Sequence, residues 1–143
     1  MIAFQNGHQF ALAVKCPPPQ GYPSPFVQVE MAGQAAVFKS VVGKVDTGAS
    51  RSMLGFATAN ALGIDDPETS PLTTGTARTA TDELLPYYVH RVMVRIGNGV
   101  GEPIVFPLRV AFADRVKRNL FGIDWLRHLC LAVDLQAVHF LKD

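Results

Sequence analysis

Phe38-Lys39-Ser40-Val41-Val42-Gly43-Lys44-Val45-Asp46-Thr47-Gly48-Ala49-Ser50 is the stretch on which the reading of this chain turns. Its first half carries β-branched residues and reads as a strand. The strand delivers a carboxylate, a hydroxyl and a glycine into a tight turn. Asp46 can hold or share a proton, and Thr47 can hydrogen-bond sideways to a neighbouring loop. Gly48 lets another backbone come close. Asp and Gly also favour ordinary turns, so three letters alone do not make a site.

Working outward, 143 residues suit one domain and are enough to bury an ordinary core. Hydrophobic residues make up 48%, charged residues 17%, and the net charge is +1. That excludes a disordered chain and gives no support to a nucleic-acid-binding surface. Cys16 and Cys130 are far apart and outside any Cys-x-x-Cys or Cys/His spacing. A disulfide stays open to them, but two isolated thiols in a reducing compartment are the favoured reading. Met1 to Val14 lacks the basic start and apolar run of a signal peptide, and no apolar run is long enough to span a bilayer. The expectation is a cytoplasmic protein without a membrane span.

Upstream of the turn, Phe10 to Val14 is a short strand candidate. Cys16 to Pro25 holds five of the ten prolines and reads as an extended connector. Residues 1–25 are therefore expected to form an N-terminal arm, and 26–143 the domain proper. Phe26 to Met31 alternates apolar and polar, which predicts a half-buried strand, and Ala35 to Val45 returns as its hairpin partner. Downstream, Ser52 to Leu54 is short and extended, and Phe56 to Leu62 predicts a short helix stopped by Gly63. Leu72 to Leu84, rich in Thr with Gly75 at its centre, reads as a hairpin with an exposed tip. Tyr87 to Ile96 is a long alternating strand, and 97–101 a turn. Ile104 to Phe112 is a strand placed near an edge by Pro107. Asp124 to Leu129 predicts a second short helix. Leu131 to Leu135 and Val138 to Leu141 close the chain as a hairpin, with Asp134 read as a solvated strand residue. Many short strands with regular turns predict an all-β fold, a small barrel or sandwich.

Other chemistries find little support. His8, His90, His128 and His139 are scattered without metal-ligand spacing. Ser50 and Ser52 lack a Gly-x-Ser-x-Gly setting. Asp124, after Gly122, reads as a structural residue that bonds backbone at the start of its helix. Trp125 reads as core or interface.

The order of these motifs resembles the retropepsin-like aspartic proteases, the single-domain, half-size relatives of pepsin. Val45-Asp46-Thr47-Gly48-Ala49-Ser50 is similar to that family's catalytic loop, and the helix before Gly63 falls where the family places one. Leu72 to Leu84 corresponds to its flap, and Leu120-Phe121-Gly122-Ile123-Asp124 to its second, hydrophobic-Gly signature. The likeness runs from about Phe26 to Leu141. It implies a small closed β-barrel with one lobe per chain, and an endopeptidase without metal or other cofactor. Asp46 would be catalytic, supported by Thr47, Gly48 and Ala49. Gly75, Thr76 and Ala77 of the flap would cover a peptide or protein substrate, and Leu120, Phe121 and Gly122 would form the second motif that opens the C-terminal helix. Only one Asp-Thr/Ser-Gly occurs in the chain, so the two carboxylates this chemistry needs require a homodimer. Two features depart from the family: the first 25 residues have no counterpart, and the flap keeps one glycine but gains Arg78 and Asp82. A catalytically silent dimerisation or peptide-binding module on the same fold is the alternative.

Overall fold

In strand β2 (Phe26–Ala32), Val27, Val29 and Met31 are buried while Gln28 is exposed, the period-2 pattern that turns one face of a strand to a core. The computed structural model describes residues 12–97 and 102–142. Glycine-rich 98–101, expected to be a turn, lies outside them, as does the start of the first strand candidate. The remaining elements are β1 (Leu12–Cys16), β3 (Lys39–Val45), β4 (Met53–Gly55), helix α1 (Phe56–Ala61), β5 (Thr73–Arg78) and β6 (Leu84–Ile96). They continue with β7 (Ile104–Ala113), β8 (Asn119–Phe121), a 3-10 helix (Ile123–Arg127), β9 (Cys130–Val133) and β10 (Val138–Lys142).

Strands β2, β3, β8, β4, β7 and β6 are hydrogen-bonded in that order, and a β2–β6 pairing closes them into a six-strand barrel. The expected all-β barrel is thus the observed fold. Two pairings are parallel, β3 with β8 and β4 with β7. At the closing seam Glu30 lies opposite Arg95, and the two form an ion pair while the Arg95 guanidinium sits 3.9 Å from the Phe38 ring centre. Strand β5 extends the sheet beyond the ring as a hairpin with β6. A separate three-stranded sheet has the order β1-β10-β9.

One continuous core joins the barrel strands, α1 and the small sheet, with Leu54, Val94, Phe112, Phe121, Trp125 and Phe140 inside it. Each such side chain contributes about 1.5–3 kcal/mol by leaving water. Trp125 stacks on Phe121 at 4.6 Å and meets Phe106 edge-on at 5.6 Å, which settles the core reading of this residue. Cys16 and Cys130 are both free. No helix among the described residues is long and apolar enough to cross a membrane.

Several boundaries differ from the sequence reading, each for a local reason. Residues 12–16, read as part of an arm, pair with β10 over the whole of β1, and Val14 and Cys16 enter the core. β3 starts at Lys39 rather than Ala35, because Ala36 turns left-handed (φ 56°) and its N–H donates to the Gly33 carbonyl. The β5–β6 turn spans 79–83, past Gly75. Gly75 stands mid-strand opposite Tyr87, where a β-carbon would come within 2.3 Å of the phenol. The second short helix is a 3-10 turn one residue earlier than expected. The strand placed near an edge on account of Pro107 instead lies inside the ring, between β4 and β6. The proline is tolerated because it faces Met93 on one side while β4 pairs only with Ala111–Ala113 on the other. Asp134 caps the β9–β10 turn instead of lying in a strand. Its Oδ1 accepts from the Gln136 and Ala137 N–H groups, and Oδ2 meets His139 Nε2 at 2.9 Å.

Candidate active site

β3 runs parallel to β8 with Val45 beside Phe121, so the chain leaves the sheet at Asp46 already gripped. The Asp46 N–H donates to the Phe121 carbonyl at 2.9 Å, and the Ala49 N–H to the Asp46 carbonyl at 3.1 Å. Gly48 N–H donates to Asp46 Oδ1 at 2.9 Å, which fixes the rotation of the carboxylate. Aspartate followed by a turn adopts this side-chain-to-backbone bond readily. Asp46 is half-buried, Ala49 likewise, and Thr47 and Gly48 are exposed.

The far side of the turn is held by the second motif. Ile123 N–H donates to the Ala49 carbonyl at 2.9 Å, and Gly122 N–H to Ser52 Oγ at 3.0 Å. Gly122 is a close-approach position: a β-carbon there would lie 2.7 Å from the Ala49 oxygen and 2.7 Å from the Arg51 carbonyl carbon. Asp124 then fastens the base. Its Oδ2 accepts from the Ser52 N–H at 2.9 Å and its Oδ1 from the Ser52 hydroxyl at 2.7 Å. Asp124 therefore does bond backbone, but across the fold rather than at its own helix start. Ser52 is fully buried, and an unpaired hydroxyl there would be costly.

Asn119 serves the neighbouring joint. Its side-chain oxygen accepts from the Gly55 N–H at 3.0 Å, and its nitrogen donates to the Val42 carbonyl at 2.9 Å. Strands β3, β8 and β4 are tied together by this one amide. Sequence reading missed Asn119 as a brace and took Ser52 only as a rejected nucleophile. These partners lie 64 to 77 positions away, beyond the reach of any local pattern.

The structure thus brings Asp46, Thr47, Gly48 and Ala49 together with Leu120, Phe121 and Gly122. Gly75, Thr76 and Ala77 belong to the separate β5–β6 hairpin. A link between the two comes from Arg51, whose guanidinium stands 5.3 Å from the Tyr87 ring centre, with Tyr87 packed over Gly75. Among the described residues no three His, Cys, Asp or Glu side chains are placed to hold a metal ion.

Neither models of protein families nor curated proteins return a match to this chain. Among solved structures, a retropepsin-like aspartic protease from Rickettsia conorii superposes with a TM-score of 0.58 at 16% identity. The superposition covers 94% of this chain and 97% of the other. At that identity the likeness is one of architecture, and the fold this chain carries is the retropepsin-like one.

Proposed function

We propose that the chain is an aspartic endopeptidase that works as a homodimer, each protomer supplying Asp46 across a two-fold axis. The observation that carries this reading is the anchoring of the Asp46 turn. Its backbone is clamped to Phe121 and its carboxylate oriented by Gly48 N–H, yet the side chain stays half-exposed. Preorganised, reachable carboxylates suit catalysis. Ile123, bonded to the turn through its N–H, is 40% exposed, and Leu126 of the same 3-10 helix is 49% exposed, which leaves apolar surface for a second copy.

Two such carboxylates divide the work. Like charges at close range cannot both ionise, so one stays protonated, as is general for aspartic proteases. The ionised member takes a proton from the attacking water while the protonated member polarises the scissile carbonyl. The pair, not either residue, owns the resulting pKa values. Thr47 would hydrogen-bond to its counterpart across the axis, and Gly48 would contact substrate backbone. The β5–β6 hairpin, with Gly75, Thr76 and Ala77, would close over an extended peptide and exclude water.

The test is digestion of a diverse peptide pool from acid to neutral pH, read by mass spectrometry, with wild type and Asp46→Asn in parallel. Cleavage by wild type alone, with activity reduced at least about a thousandfold in the variant, is the expected result. A folded dimer silent in both forms moves the peptide-binding module ahead. Equal cleavage by both removes Asp46 from the mechanism.

A further inference from the structure

We infer that a groove of arginines beside the Asp46 turn selects peptides with acidic side chains near the bond that is cut, an inference that rests on the protease reading above. The groove has a volume of about 600 Å³, within the range of about 300–1,000 Å³ usual for ligand sites. It starts at Arg51, five residues after Asp46, and is walled by Asp124, Arg127 and His128 and by Arg91 and Arg109 of β6 and β7.

Three features leave this groove with an excess of positive charge. None of its four guanidinium groups has a carboxylate partner among the described residues, whose ion pairs are Arg78–Asp82, Arg95–Glu30 and His139–Asp134. The one carboxylate in its wall, Asp124, has both oxygens engaged by Ser52. Arg91 and Arg109 lie directly opposite each other in the β6–β7 ladder, on one face. Like charges so placed are unfavourable, and a bridging anion removes the repulsion. Guanidinium forks match carboxylates in geometry as well as charge.

Position argues for a peptide as the source of those carboxylates. Arg51 joins the groove to the Asp46 turn, and through Tyr87 to the hairpin that would cover an extended chain. A substrate lying between turn and hairpin would pass its flanking side chains into the arginines.

The experiment uses fluorescent decapeptides that differ only in Glu against Gln on either side of the cleaved bond. Wild type is compared with the Arg91→Gln/Arg109→Gln and Arg91→Lys/Arg109→Lys double variants, all checked by thermal melting. Wild type should favour Glu peptides about ten- to a hundredfold in kcat/KM, the range of one charge-assisted hydrogen bond. The glutamine variant should bring that ratio near one, and the lysine variant should restore part of it. Equal use of both peptides by wild type, or a ratio that the glutamine variant leaves intact, overturns the inference. Binding of the same peptides to Asp46→Asn, read by anisotropy, separates the two readings. Tighter binding of Glu peptides without cleavage by wild type keeps the groove and sinks the protease. Cleavage without any Glu preference does the reverse. An oligonucleotide that binds more tightly than every Glu peptide would also overturn the assignment.

Discussion

Gly122 occupies a space in which a single added carbon would meet two backbone groups, the Ala49 oxygen and the Arg51 carbonyl, at 2.7 Å. Neither can move without disturbing the Asp46 turn. Gly122→Ala should therefore cost about 3 kcal/mol, the upper end of overpacking penalties, measured by urea unfolding. Ser52→Ala strands the Gly122 N–H and one oxygen of Asp124, and should cost about 1–3 kcal/mol in the same assay. The thiols offer a third check. Burial raises the Cys16 pKa against a smaller opposing effect of its hydrogen bond to Gln28, whereas Cys130 is half-exposed. Native alkylation should label Cys130 first, read by mass spectrometry. At this scale Asp46 and Gly122 were legible because each sits in a short, chemically distinctive string. Ser52 and Asn119 were not, since what defines them is a partner supplied by folding.

The β9–β10 hairpin shows how one side chain can hold an element. Asp134 is drawn down from 3.8 to about 2, chiefly by its bond to His139 and then by the Gln136 and Ala137 N–H groups. A carboxylate depressed in the folded state stabilises above its unfolded pKa, and that contribution fades as pH falls from about 4 towards 2. Asp134→Asn should thus melt below wild type at pH 6, with the gap closing between pH 4 and 2 in a thermal-melting series. Strands announced by alternation, such as β2 and the later part of β6, could be read directly. Where a boundary depended on a contact, it could not. The phenol of Tyr87 explains why the hairpin's lone glycine sits mid-strand, and the turn of Ala36 explains the late start of β3.

For the whole molecule, composition and strand spacing were enough to read a small all-β barrel or sandwich, and the likeness of the motifs chose the closed barrel. They did not foresee that β1 would be built into it. Removing residues 1–16 strips β10 of a neighbour and the core of Val14 and Cys16, so the truncated chain should show a lower Tm than one lacking residues 1–11 alone. Assembly yields another prediction: if the working unit is a dimer, specific activity must fall on dilution, and sizing must show the monomer appearing over the same range. The parallel β3–β8 ladder and the Ser52–Asp124 bonds bear finally on timing. The long-range clamp on the Asp46 turn comes from Phe121, Ile123 and Asp124, made 72 to 75 positions after their partners, roughly 4–15 s afterwards at ordinary rates of synthesis. A growing chain on the ribosome therefore carries Asp46 before the residues that clamp its turn exist.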